Sequence, residues 1–165
     1  MKILFLDIDG VLNAHEPYDS VIGGNRIYHD KAMRLNRVLL TTDAKLVLSS
    51  AWRYQIINGW SDLNGFAWLL RSHGIIGDRL ISHTAADTMH DGTWDGVAGT
   101  WPIYNERGKQ ITDWLECHPE SRDCRYVVLD DLDLGISEAG HPFVQTDGKI
   151  GLTDQDTERL IGLLV

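Results

Sequence analysis

Two carboxylates, Asp7 and Asp9, stand directly after the apolar segment 2–6, and Gly10 follows them. A short apolar run of this kind is typical of a strand buried on both faces, as in a parallel sheet. Ligands of open α/β sheets bind just beyond the carboxyl ends of such strands. Two acids there can bind a hard cation, and one can attack while its neighbour transfers protons. Asp and Gly are also ordinary turn residues, so this segment alone leaves a simple strand-to-turn boundary open.

Three further polar groups end an apolar segment or open a helical pattern: Ser49 and Ser50 after 45–48, Arg107 and Lys109 before Ile111, and Asp130 and Asp131 after 125–129. In this order of acids, Ser, Lys and acids, the sequence resembles the haloacid dehalogenase (HAD) superfamily of phosphohydrolases, which use an aspartate nucleophile. The resemblance covers nearly the whole chain. The segments DIDGVLN, LSSAWR and VVLDD are most similar to the small HAD domains of Swiss-army-knife RNA repair proteins, with some likeness to deoxyribonucleotidases.

The resemblance assigns chemical roles to the first motif. Asp7 is the expected nucleophile, which forms an aspartyl-phosphate and so divides hydrolysis into two displacements. Asp9 protonates the leaving alkoxide and then takes a proton from the attacking water, and its backbone carbonyl also contacts the metal. Gly10 lets the backbone turn closely under the phosphate, where amide N–H groups form an anion nest.

The resemblance also assigns roles to the second and third motifs. Ser49 is expected to donate a hydrogen bond to a phosphoryl oxygen; Ser50 is the alternative, because adjacent strand residues point to opposite faces. The Lys109 ammonium balances charge on the nucleophile and the phosphoryl group, and Arg107 either substitutes for it or binds substrate phosphate. Arg53 is expected either to bind a substrate phosphate or sugar or to form a structural salt bridge.

A magnesium ion is the expected cofactor, because two negative groups must meet during attack on phosphorus. Mg²⁺ needs few protein carboxylates, since it retains several waters. We expect Asp7 and the Asp9 carbonyl to bind it from the first motif. From the last motif we expect Asp131 to bind it directly, and Asp130 either to bind it through water or to contact only the residues that hold it.

Apolar periodicity predicts alternating strands and helices, which implies right-handed crossovers and a parallel sheet. The strands are predicted at residues 2–6, 45–49, 79–82, 125–129 and 143–146, and the helices at 27–43, at 63–72, from Arg107 and after Thr153. We therefore predict an α/β, three-layer Rossmann-like (HAD-like) fold with a central parallel sheet of about five strands. The expected organisation is one domain over residues 1–165 with a minimal cap. It includes a short flap at 14–28 and a long, structureless active-site loop at 83–108.

Composition and charge limit the partners. The 165 residues carry a net charge of −9, which argues against a domain that coats nucleic acid through bulk electrostatics. A phosphorylated small molecule or a nucleic-acid phosphate end remains compatible with that charge, since a divalent cation cancels part of it. No apolar run is long enough for a membrane span, the N-terminus has no signal-peptide pattern, and the two cysteines suggest neither zinc nor disulfides. A cytoplasmic protein without membrane contact is expected.

Together these features predict a Mg²⁺-dependent phosphomonoesterase that acts on a nucleotide or a nucleic-acid phosphate end. A phosphatase or phosphotransferase for another small phosphometabolite is the alternative within the enzyme class. A phospho-accepting signalling domain also combines acids, a hydroxyl and a lysine. Its acid pair ends the first strand, however, whereas here the tandem acids come late and Lys109 precedes them.

Overall fold

The computed structural model describes residues 1–14, 26–94, 97–102 and 106–165. Within these ranges the chain alternates strands and helices, with short 3₁₀ turns at Ala51–Arg53, Gly77–Arg79 and Pro119–Ser121. The strands are β1 (Lys2–Leu6), β2 (Lys45–Leu48), β3 (Leu80–His83), β4 (Met89–Trp94), β5 (Val97–Pro102), β6 (Arg125–Asp130) and β7 (Phe143–Gln145). The helices are α1 (His29–Thr42), α2 (Tyr54–Ile57), α3 (Leu63–Ser72), α4 (Arg107–Cys117) and α5 (Asp154–Leu164).

Five of the strands form a parallel sheet in the order β3-β2-β1-β6-β7, as the sequence predicts. In the register of the three central strands, Leu6 of β1 lies beside Leu48 of β2 and Leu129 of β6. The ladder continues one step, because the amide of Asp7 donates to Leu129 (2.9 Å) and that of Ser49 donates to Leu6 (2.8 Å). The polar residues that follow these strands therefore meet at one edge of the sheet.

Helices cover both faces of the sheet, which gives the predicted three layers. Helices α1, α3 and α5 pack on the face that carries Leu4 and Leu6, while α4 packs on the opposite face. On the α4 side Phe5 and Trp114 pack edge to face with ring centroids 5.3 Å apart. Alternation of apolar side chains along each buried strand supplies both cores, because successive residues point to opposite faces.

The segment at 83–108 differs from the prediction. Strands β4 and β5 within it pair as an antiparallel hairpin, in which Met89 lies beside Pro102 and Trp94 beside Val97. The expectation of a structureless loop is therefore wrong for this part. The sequence carries a hairpin signal at 95–96, since Asp-Gly is favoured in two-residue connections.

The predicted flap at 14–28 lies mostly outside the described residues. At its described end Ile27 is buried, and the amide of Tyr28 donates to the carbonyl of Leu12 at 2.8 Å. Among the helices described, none is long and apolar enough to cross a membrane.

Candidate active site

Three carboxylates meet at the carboxyl edge of the sheet. Asp7 follows β1, Asp130 ends β6 and Asp131 follows it, and one oxygen of each lies within 4.8 Å of the others. Asp7 and Asp130 are buried, whereas Asp131 is half-buried. The parallel register brings them together, since it aligns the ends of β1 and β6.

Arg107, in the first turn of α4, supplies the positive charge of this cluster. Its Nη1 lies 2.7 Å from Oδ2 of Asp130 and 3.5 Å from Oδ1 of Asp7, and it also donates to the carbonyl of Ser49. The guanidinium is largely buried, so its charge is only weakly screened by solvent. It thus links the ends of all three central strands.

Lys109 lies outside this cluster, which corrects the prediction that it balances charge on the nucleophile. Its Nζ pairs with Asp113 on the same helix at 2.5 Å, and its side chain is exposed. Residues two apart on a helix lie about 200° apart around its axis, so Arg107 and Lys109 face opposite ways. Ile111 is buried against the sheet, and Arg107, four residues earlier, shares that inward face.

The electrostatics of the cluster favour a cation. Burial raises the pKa of Asp7 from 3.8 to about 8, and repulsion from Asp130 adds to that, while Arg107 and a hydrogen bond from Ser50 lower it. Burial likewise raises the pKa of Asp130 to about 6 despite the attraction of Arg107. One guanidinium therefore does not compensate the carboxylates fully.

The donor set of the cluster suits Mg²⁺. Asp7, Asp130 and Asp131 offer only oxygen ligands, which hard divalent cations prefer, and their uncompensated charge is what such an ion neutralises. The side chain of Asp9 is not part of this group. Binding through the Asp9 backbone carbonyl stays a prediction.

Asp9 is held by two N–H donors from different segments. Nε1 of Trp52 donates to one carboxylate oxygen at 3.0 Å, and Nδ2 of Asn13 donates to the other at 2.8 Å. Oδ1 of Asn13 in turn accepts from the amide of Gly10 at 2.8 Å. Asp9 thus lies beside the cluster with its carboxylate plane fixed.

Gly10 allows a close approach of the backbone to Asp131. Its φ is +71°, and a Cβ at this position would lie 2.4 Å from Cγ of Asp131, so only glycine fits. The predicted anion nest is not supported for its own amide, because that N–H already donates to Asn13. Gly10 therefore lets the turn after β1 pass close to the Asp131 side chain.

The two serines after β2 make different contacts. The Ser50 hydroxyl accepts from the amide of Trp52 at 3.4 Å, and it lowers the pKa of the nearby Asp7 carboxyl. The Ser49 hydroxyl is buried and has no hydrogen-bond partner within the described part of the chain. A buried hydroxyl without a partner is available to a ligand or water, which keeps Ser49 as the candidate phosphate donor. Thr84, whose amide donates to Leu48, carries a second such hydroxyl.

Arg53 forms a structural ion pair, which is one of the two roles that the sequence leaves open for it. Its side chain is 1% exposed, and Nη2 lies 2.7 Å from Oδ1 of Asp87. Its other nitrogens donate to the carbonyls of Ser50 and Ala85 at 2.7 and 2.9 Å. Arg53 therefore connects the segment before β4 to the turn after β2 through hydrogen bonds and an ion pair.

Asp87 is the second centre of this network. It accepts from Nε2 of Gln110 at 2.8 Å and from the hydroxyl of Tyr54 at 2.9 Å. Burial raises its pKa, but the Gln110 hydrogen bond and the charge of Arg53 lower it overall. The network joins α2, α4 and the approach to β4.

Several of these contacts are not evident from sequence motifs. Trp52 follows the second motif, but nothing in its spacing links it to Asp9, which is 43 residues away. Asp87 lies in an irregular segment, and its partner Arg53 is 34 residues earlier. Asn13, four residues after Asp9 in a turn-rich segment, carries the one local signal, since Asn side chains commonly bond to nearby groups in turns.

Comparison with known proteins identifies the family. The family described as the HAD domain in Swiss Army Knife RNA repair proteins matches residues 3–157. The chain therefore belongs to this family, which supports a HAD-type hydrolase. No curated protein and no solved structure matches the chain.

Proposed function

We propose that this protein is a Mg²⁺-dependent phosphomonoesterase that works through a phosphorylated Asp7. The observation that carries the proposal is the cluster of Asp7, Asp130 and Asp131 with Arg107 at the carboxyl edge of the sheet. Such a cluster supplies a nucleophile, oxygen ligands for a cation and a fixed positive charge. Membership of the HAD family agrees with this chemistry.

The first half-reaction transfers the phosphoryl group to the protein. A carboxylate oxygen of Asp7 attacks phosphorus, and the bond from phosphorus to the leaving oxygen breaks. Protonated Asp9 gives its proton to that oxygen, so the alcohol leaves neutral. Arg107 and the free hydroxyl of Ser49 hold the phosphoryl oxygens.

The second half-reaction returns the protein to its starting state. Asp9, now a carboxylate, takes a proton from water as the water oxygen attacks the phosphorus of phospho-Asp7. The bond between phosphorus and the Asp7 oxygen breaks, which releases inorganic phosphate and regenerates the nucleophile. Asp9 ends the cycle protonated, as it began.

A magnesium ion held by Asp7, Asp131 and, through water, Asp130 would neutralise the approaching negative groups and polarise the phosphoryl oxygen. We propose this arrangement from the oxygen-only donor set.

The proposed substrate is a nucleotide or the phosphate end of a nucleic acid. The family description, which names RNA repair proteins, supports this choice. The net charge of −9 favours recognition of one terminal phosphate over binding along a nucleic-acid backbone.

A phosphatase panel tests the proposal. The panel contains mononucleotides, oligonucleotides phosphorylated at the 3′ or 5′ end, sugar phosphates and an aryl phosphate, each with Mg²⁺ or with EDTA. We expect Mg²⁺-dependent release of phosphate, fastest from the nucleotide or oligonucleotide substrates and absent in Asp7→Asn. Faster turnover of sugar phosphates would reject the substrate class, and release that persists in EDTA or in Asp7→Asn would reject the mechanism.

A further inference from the structure

Both oxygens of the Asp9 carboxylate accept hydrogen bonds from side chains to which the predicted motifs assign no role. Trp52 donates its indole N–H at 3.0 Å, and Asn13 donates an amide N–H at 2.8 Å. The two donors come from the turn after β2 and the turn after β1. Rotation of the carboxylate would break both contacts at once.

The donors themselves are fixed. Asn13 is 4% exposed, and its oxygen accepts from the Gly10 amide at 2.8 Å, which sets the orientation of its amide group. Trp52 is half-buried and packs against the main hydrophobic core. Its backbone amide bonds the Ser50 hydroxyl at 3.4 Å. Little freedom is therefore left at either donor.

We infer that Trp52 and Asn13 are positioning residues that hold Asp9 in the orientation required for proton transfer. This inference rests on the proposed function. A carboxylate has about four lone-pair sites, so two N–H donors leave sites free for the transferred proton. Fixing the plane aims those sites at the leaving oxygen in the first half-reaction and at the attacking water in the second.

The turn after β2 thereby contributes to the surroundings of both catalytic carboxylates. The Ser50 hydroxyl lowers the pKa of Asp7, and Trp52, two residues later, donates its indole N–H to Asp9. The 3₁₀ turn that begins at Ala51 sets the spacing between these two side chains. We expect a change in this turn to affect attack and proton transfer together, whereas loss of the indole N–H affects proton transfer alone.

The test is Trp52→Phe, which removes the N–H and keeps an aromatic ring. General-acid assistance is needed most for poor leaving groups, so kcat/KM for an alkyl phosphate is expected to fall about tenfold or more. With p-nitrophenyl phosphate the loss is expected to stay below about threefold, since that leaving group hardly needs a proton. Trp68→Phe, which changes an exposed tryptophan on α3, is the control and leaves both values unchanged.

A second comparison separates positioning from folding. In the Asp9→Asn background, Trp52→Phe is expected to cause no further loss with either substrate, because it acts through Asp9. Equal losses on both substrates in the single variant, or a full additional loss in the double variant, would overturn the inference.

A readout without turnover completes the test. In protein labelled with ¹⁵N-tryptophan, the spectrum of Trp52→Phe lacks one indole N–H signal, which identifies the signal of Trp52. This signal is expected to shift between the wild type and Asp9→Asn, while the Trp68 signal stays in place. If the wild type is an active phosphatase but the Trp52 signal does not shift in Asp9→Asn, only the positioning inference is overturned. If the signal shifts in Asp9→Asn but the wild type has no Mg²⁺-dependent phosphatase activity, the proposed function is overturned. The catalytic role of the contact between Trp52 and Asp9 is then overturned too.

Discussion

The buried ion pair between Arg53 and Asp87 is expected to contribute strongly to stability. Arg53 is 1% exposed, and the Asp87 side chain is 30% exposed, so the guanidinium depends on protein partners for its solvation. Asp87→Asn preserves the shape and an acceptor oxygen but removes the charge. Arg53 is then left with the carbonyls of Ser50 and Ala85 and a long contact to Gln110.

The magnitude follows from these contacts. Removing one partner of a buried pair costs about 3–5 kcal/mol, and the retained acceptor places Asp87→Asn near the lower limit, about 3 kcal/mol. For a domain of this size each kcal/mol lowers Tm by roughly 2–4 °C, so a decrease of about 6–12 °C is expected. Arg53→Met should cost less, because Asp87 can regain water.

Urea unfolding followed by circular dichroism measures this free energy, with Asp78→Asn as the matched control. Asp78 pairs with Arg71, but both side chains are exposed (78% and 47%), and such pairs contribute at most about 1 kcal/mol. If Asp87→Asn and Asp78→Asn lowered the free energy of unfolding equally, the reasoning from burial would be refuted. A larger loss in Arg53→Met than in Asp87→Asn would also contradict it.

Three further predictions concern the catalytic cluster. Arg107→Met should lower kcat/KM for an aryl phosphate by about 10²–10³-fold, which is the effect of losing one preorganised charge donor. In Lys109→Met the same kcat/KM should stay within about twofold of the wild type. The reverse ranking would show that Lys109 belongs to the site. Asp131→Ala should raise the Mg²⁺ concentration needed for half-maximal activity more than Asp130→Ala, as measured by Mg²⁺ titration of both variants. The opposite order would contradict direct binding of Mg²⁺ by Asp131. Without metal, the pKa of Asp7 is raised from 3.8 to about 8, so the folded protein retains a proton that the unfolded chain releases, and its stability falls as pH rises from about 4 to 8. Mg²⁺ should therefore raise Tm more at pH 8 than at pH 5 in differential scanning calorimetry. An equal rise at both pH values would contradict the binding of Mg²⁺ to ionised Asp7.

The sheet was predictable because its strands are short apolar runs flanked by polar residues. A run such as residues 2–6 contains no alternation with polar residues, which favours a strand covered on both faces. The helix after Thr153 was predictable from its capping box, in which Thr153 and Asp156 bond each other's backbone amides. These signals are local, so the sequence contains them in full.

The placement of the basic residues was less accessible. Motif order favours Lys109, whereas the helical spacing of Arg107 to Ile111 and Trp114 indicates that Arg107 faces inward. Arg53 could not be assigned from sequence, because its partner Asp87 is distant and the choice between ligand and ion pair depends on burial. The Trp52 contact with Asp9 likewise depends on how β1 and β2 pair.

The most direct test of the central claim is to trap the phosphorylated protein. Wild type, Asp9→Asn and Asp7→Asn are mixed with a rapidly hydrolysed phosphate ester and Mg²⁺, quenched in acid within one turnover and digested for mass spectrometry. The proposed mechanism predicts one base-labile phosphoryl group on Asp7 in the wild type, more of it in Asp9→Asn, where its hydrolysis is slowed, and none in Asp7→Asn. Full turnover with no phosphoryl group on Asp7, or with the group on another residue, would contradict it.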